Sequence, residues 1–441
     1  MGILRAVSSA EVPARRVVAL AGSAFVVLAA EPLYLLVDTA VVGHLGAIPL
    51  AGLGVASAFM AVLLLVGTFL QYGTTSRAAR WFGAGDRGAA VREGVQASWL
   101  AVALGVAMIV LGQVVAGPVT RTLAGAAGPV AEAAESWLRI ALFGMPGVLL
   151  VLAGNGWMRG VQETKAPVRI VLLANGLSAV AAPILVYPVG LGLVGSAVAN
   201  VGAQVVGGAL FLRALRREGV GVVPRWGVMR RQLVVGRDLL VRSIGFQVAF
   251  LTAAAVTARM GAAQIAAHQI GLQLWTFTAL LLDSFAIAAQ SLVGAALGSG
   301  DATAGRAVAW QVARYGLWAG VAFGAVYAAG YAVIPWVFSS SDEVVAQARV
   351  LWPWFVGMLP AAGVVFALDG VLIGAGDVRF MAGLTLLAGI GGYVPLTVAA
   401  LYGGWGLGGV WAGLAAFVGV RLVGMVLRTR GTRWIVLGAQ R

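Results

Sequence analysis

The chain has no cysteine, two histidines, one lysine and only 10% charged residues among its 441. Without cysteine there is no disulfide framework, no thiolate metal site and no cysteine nucleophile. His44 and His268 cannot form an HExxH zinc pair. Lys165 follows Thr164 rather than the glycine of a phosphate-binding loop, so a nucleoside triphosphate does not directly fuel any work done here. Soluble domains carry about a quarter charged residues, and the scarcity of charge excludes a soluble globular fold.

What the chain has instead is apolar sequence, 61% of the total. A bilayer span needs roughly 20 such residues, and long runs extend from Val17 to Leu427 with short polar breaks. The pattern predicts an all-α integral membrane protein of twelve transmembrane helices, near 17–43, 50–73, 94–117, 133–157, 168–188, 193–212, 238–258, 264–295, 309–337, 346–373, 380–402 and 407–427. The net charge of +14 does not point to nucleic acid, because the arginines are not gathered on one face. They fall in alternate breaks, from Arg5, Arg15 and Arg16 to the tail between Arg428 and Arg441. By the positive-inside rule both termini are cytoplasmic, and no removable leader is expected.

The chain also resembles itself at a shift of about 215 residues. Gly83-Ala84-Gly85-Asp86 answers to Gly298-Ser299-Gly300-Asp301, Met145-Pro146 to the region of Pro360, and Gly190-Leu191-Gly192 to Gly406-Leu407-Gly408. The expected organisation is a six-helix lobe over 1–212, a basic cytoplasmic linker over 213–237 with seven arginines, and a second six-helix lobe with a basic cytoplasmic tail over 238–441. Six is even, so the lobes enter the membrane in the same sense and a pseudo-two-fold axis along the membrane normal is expected. Glycine, 63 residues in all, suits close helix packing.

An ionised carboxylate inside a bilayer is costly, so intramembrane acids are functional candidates by default. Asp38, Asp283 and Asp369 lie deep in apolar segments and are the candidate cation-coupling groups. Asp38 has Tyr34 one turn before it; it reads as a proton-binding carboxylate, or more plainly as a buried aspartate held by hydroxyls such as that of Thr39. Glu31, beside Pro32, either caps a helix kink or shares the Asp38 site. Asp283 and Asp369 fit a cavity role or interhelical hydrogen bonding. Asn155, Asn175, Gln273 and Gln290 could line a polyspecific cavity, with interhelix bonding the equal alternative, and Trp275 and Phe277 stand beside Gln273. His268 and His44 read as a satisfied interhelical residue and an interfacial one. Asp238 and Arg242, four apart, suggest a local pair orienting the linker.

The strings LVDTAVVGHLG, LAGLGVASAF, FGAGD, RDLLVRS, LLDSFAIAAQSLVGAALGSGD and ALDGVLIGAGD, in this order over both halves, resemble the multidrug and toxic compound extrusion (MATE) family in its DinF-like branch. The resemblance implies a two-lobe exporter that opens alternately to each side and exchanges an incoming proton or sodium ion for an amphipathic, often cationic, compound. It places the cation-coupling aspartate of the family's first helix on Asp38, that of the tenth helix on Asp369 and that of the eighth on Asp283. The chain departs from the family where relatives read Asn-x-x-x-Asp-Pro, since Ser178, Ala182 and Pro183 stand there, and where a glutamate is common, since Gln290 stands there. Both departures remove negative charge and favour a lone protonatable Asp38 over a sodium site of several carboxylates.

The expectation is therefore a proton-coupled, monomeric antiporter of the bacterial cytoplasmic membrane, with a small amphipathic or cationic substrate, the bilayer and no nucleic acid as partners. Sodium is the alternative ion, and no other cofactor or metal is expected. A lipid-linked flippase is the nearest rival, but it calls for a wide basic cavity and the basic residues fall in loops. A membrane enzyme built on Asp283 and Asp369 has no supporting motif, and a passive channel would leave the paired halves unexplained.

Overall fold

The computed structural model describes residues 12–439; Arg5 and Arg441 lie outside the described residues. The first half contains α1 (Ala14–Gly43), α2 (Ala47–Gly83), α3 (Arg87–Leu123), α4 (Pro129–Ala141), α5 (Met145–Gly160), α6 (Lys165–Val186) and α7 (Gly192–Arg217). The second contains α8 (Trp226–Met260), α9 (Ala262–Gly298), α10 (Ala302–Ala329), the short α11 (Ile334–Phe338), α12 (Asp342–Gly374), α13 (Val378–Ala388), α14 (Val394–Tyr402) and α15 (Gly406–Arg430). A 3-10 turn over Leu142–Gly144 joins α4 to α5 into one span, and a π-helical turn over Gly389–Tyr393 joins α13 to α14. Eleven segments among the described residues are long and apolar enough to cross a bilayer. The twelfth, α10, has 28 residues, but Arg306, Gln311 and Arg314 dilute its apolarity. The architecture is that of a twelve-helix, two-lobe membrane protein.

The helices run further into the polar breaks than the apolar runs suggest. Arginine is a good helix former, so α2 continues through Arg77 and Arg80 to Gly83. For the same reason the stretch expected as a linker over 213–237 is mostly helix, with only 218–225 between α7 and α8. Gly219, at φ 67°, and Pro224 supply the break.

The internal repeat is written in the turns. Asp86 caps α3 by accepting from the Ala89 amide at 2.7 Å, and Asp301 caps α10 by accepting from Ala304 at 2.8 Å. The glycines before them, Gly85 and Gly300, have φ 86° and 83°. Gly190 and Gly192 have their counterparts in Gly404 and Gly406, all four at positive φ. This corrects the match to Gly406-Leu407-Gly408 by two residues, because the left-handed backbone and not the repeated Gly-Leu-Gly lettering marks equivalent positions. A Cβ on Gly105 would lie 2.5 Å from Pro146 Cα, and one on Gly320 would lie 2.9 Å from Pro360 Cα, so the same close helix crossing occurs in both halves.

The described chain divides into two compact units. One is Val26–Gly236, whose core includes Val91, Val95, Trp157, Met158, Phe211 and Leu215. Gly94 and Gly154 leave room there for the rings of Trp157 and Phe211. The other joins the described part of Met1–Phe25 to that of Arg237–Arg441. Its centre is α9 on α12, where Gly370 and Gly374 meet the carbonyls of Ala286 and Gln290. Gln311 of α10 holds Val12 by a two-way bond, donating to its carbonyl at 2.6 Å and accepting from its amide at 2.9 Å.

Candidate functional site

In the first unit, α6 and α7 form a tight pair closed by the Gly190 and Gly192 turn. Gly195 has no side chain to hold them apart; a Cβ there would lie 2.7 Å from the Leu185 carbonyl carbon. Next to it Ser196, fully buried, donates to Asp38 Oδ1 at 2.7 Å and accepts from Trp137 Nε1 at 3.2 Å. Asp38 is 2% exposed, and no basic side chain among the described residues pairs with it. One turn earlier on α1, Tyr34 OH accepts from Asn200 Nδ2 at 3.1 Å. The far end of α1 is tied by Tyr187 OH donating to the Val41 carbonyl at 2.6 Å.

Tyr34 also borders a cavity of about 30 Å³, lined on its polar side by Asn175, Ser178 and Gln204. That volume suits a water molecule and is far below the hundreds of cubic ångströms of an organic ligand site. Ser178 lies beside the Tyr34 hydroxyl. Ser178 and Ala182 are both buried, so this stretch of α6 presents a neutral hydroxyl and a methyl. Asn175 spends one donor on the Val171 carbonyl of its own helix at 3.0 Å.

The second unit treats its intramembrane aspartate differently. Asp369 on α12, 4% exposed, accepts from Arg421 Nη2 on both oxygens, at 2.7 and 2.6 Å, and from Arg242 Nη2 at 2.7 Å. Arg242 is therefore not the partner of Asp238, which pairs with Arg237 at 2.8 Å. Both Asp369 oxygens are committed to guanidinium groups, whereas Asp38 meets only a neutral hydroxyl.

Residues 23–184 and 239–397 match the family model described as MatE, one stretch in each half. The chain belongs to the MatE family. It is 31% identical to the DNA damage-inducible protein F of Escherichia coli (strain K12) over 88% of this chain and 86% of that protein. It is 32% identical to the chloroplastic protein DETOXIFICATION 44 of Arabidopsis thaliana, over 96% and 83% of the two. The fold is shared with a crystal structure of a MATE protein in the bent conformation, at TM-score 0.89 and 21% identity over 98% of each chain. An outward-facing structure of a multidrug resistance MATE transporter matches at TM-score 0.86 and 22% identity over 95% of each. The chain is thus a multi-pass membrane protein of a transporter family.

Within this MatE chain the other sequence candidates scatter. Glu31 is exposed and Asp283 half-buried. Asn155 is buried in α5 with its Oδ1 unpaired, apart from the Tyr34 cavity. On α9, Gln273 is exposed, Trp275 packs on Phe366 with ring centroids 6.3 Å apart, and Gln290 is buried beside Gly374. His268 Nδ1 accepts from Trp411 Nε1 at 3.2 Å, while His44 Nδ1 bonds the Ala40 carbonyl of its own helix. Sequence reading passed over Ser196, Asn200 and Gln204, although their spacing of four puts them on one stripe of α7. It also passed over Arg421, an arginine in mid-helix to which the argument made for the acids applies equally.

Proposed function

We propose that the chain is a secondary-active, proton-coupled antiporter that exports amphipathic or cationic toxic compounds across the bacterial cytoplasmic membrane, with both termini cytoplasmic. The observation that carries this reading is Asp38, buried on α1 with Ser196 as its neutral donor and no basic partner among the described residues. Such a carboxylate can take up or lose a proton without breaking an ion pair, whereas Asp369 would have to release two arginines. A proton taken from outside favours the state that releases substrate, and its loss inside favours the state that rebinds it. Coupling requires only that proton and substrate differ in their affinity for the two states.

Two further features support the reading. Among the described residues no group of three or more His, Cys, Asp or Glu side chains gathers at Asp38, and a hard metal cation requires several oxygen ligands. A relative 27% identical over 90% of this chain, from Xanthomonas axonopodis pv. citri (strain 306), is named a probable multidrug resistance protein. The test is uptake of a fluorescent lipophilic cation into proteoliposomes under an imposed pH or sodium gradient. Wild-type movement should follow the pH gradient and vanish in Asp38→Asn; undiminished pH-driven movement in that variant would refute the assignment.

A further inference from the structure

We propose that the Arg242, Asp369 and Arg421 cluster of the second unit receives the anionic end of an amphipathic organic molecule, a carboxylate or sulfonate carried on an aromatic or apolar body. This rests on the export reading and widens its substrate class to anions.

The charges do not balance. Two guanidinium groups share one carboxylate, and Arg421 and Asp369 are only 3% and 4% exposed. Asp369 Oδ2 already accepts from both arginines and Oδ1 from Arg421, so the carboxylate has little left to offer. The Nε atoms of Arg242 and Arg421 are both buried without an acceptor. A buried, net-positive cluster with two unused donors is costly to keep and is met best by a second anion. Guanidinium groups are well suited to carboxylate and sulfonate oxygens because their donors are planar and paired.

The walls suit the rest of such a molecule. Arg242 and Arg421 lie over the Phe246 ring at 5.2 and 5.0 Å, and Arg421 also over Phe417 at 5.6 Å. The aromatic surface continues to Tyr393, 6.1 Å from Phe417 between ring centroids. Tyr393 and Thr397 are buried with their hydroxyls facing each other one turn apart, in or just beyond the π-helical turn Gly389–Tyr393, and π-turns are frequent at functional sites. The Arg242 side chain remains 16% exposed.

The cluster belongs to one half alone. At the offset that pairs Gly376 with Gln162, the first half carries Asn155, Gly207 and Leu28 in place of Asp369, Arg421 and Arg242. A shared structural requirement would have kept an ion pair in both.

The experiment is equilibrium binding of 1-pyrenebutanoate and of 1-pyrenemethylammonium, which share a body and differ in charge, to the purified full-length protein in detergent. Wild type should bind the butanoate. Arg242→Gln, which keeps the Arg421–Asp369 pair and makes the cluster neutral, should weaken that binding about tenfold or more and leave the ammonium unchanged. Arg242→Lys, which keeps the charge but loses the planar pair of donors, should fall between wild type and Arg242→Gln. Absence of butanoate binding in wild type, or equal loss of both probes in Arg242→Gln, would overturn the proposal. Anion binding in a protein that exports nothing under a pH gradient would uphold this site and sink the export reading. Cation export without anion binding would do the reverse.

Discussion

Gln162 holds φ 60° at the position where the second half has Gly376 at φ 72°. The two turns are superimposable in their hydrogen bonds: Gln162 and Glu163 donate to Arg159 and Met158, as Gly376 and Asp377 donate to Ile373 and Leu372. A left-handed non-glycine residue costs about 1–2 kcal/mol, and glycine gives back about 0.5–1 through its unfolded-state freedom. On backbone strain alone, Gln162→Gly should therefore leave thermal stability in detergent unchanged or slightly raised. Gly376→Ala should lower it, by about 1 kcal/mol. Equal losses in both variants would mean that the turns are not equivalent.

The crossing of α3 with α5 and that of α10 with α12 allow no methyl group at Gly105 or Gly320. Alanine at either should cost about 1–3 kcal/mol through overpacking. Gly176 and Gly202, with open space where a Cβ would go, serve as controls in the same melting experiment. Their alanine variants should be neutral or gain a few tenths of a kcal/mol from helix propensity.

Ser196 is both donor to Asp38 and acceptor from Trp137. Ser196→Ala removes both bonds from a dry site and should cost about 1–3 kcal/mol, with a marked loss of gradient-driven uptake. Ser196→Thr keeps the hydroxyl and should retain most of the uptake. If the alanine variant transports like wild type, the hydroxyl does not serve the coupling carboxylate.

Asp369→Ala leaves Arg242 and Arg421 without their counter-ion. Removing one member of a buried ion pair typically costs about 3–5 kcal/mol, so this variant should fall sharply in apparent melting temperature. Arg242→Gln, with the pair between Arg421 and Asp369 intact and one of two like charges removed, should lose less than Asp369→Ala does. A ranking in the opposite order would contradict the geometry of the cluster.

The helices were legible because a bilayer demands length and apolarity, and both are visible in single residues. Their ends were not, since Arg77, Arg80, Arg213 and Arg230 extend a helix that a hydropathy reading would stop. The repeat was legible through the Asp86 and Asp301 turns, but lettering misplaced the Gly404 turn because φ is not written in the sequence. Tyr34 and Asp38 could be put on one face of α1 from their spacing alone. The α7 donors they meet could not be matched to them, because the pairing depends on how closely α6 and α7 approach. Arg421 stands outside the rule that marks arginines in breaks as orientation signals, because it lies in mid-helix.

The chain changes units within α1 and again within α8. Val12 and the start of α1 belong with α10, through Gln311. Trp226–Gly236 belongs with the first unit, where Gln232 Nε2 donates to the Glu93 carboxylate at 3.0 Å and Gly236 rests on the Phe69 ring. If the polypeptide were severed between Glu218 and Arg225, each fragment would carry a strap that completes the other's packing and lack the one that completes its own. Neither fragment would then hold all of its own unit's packing.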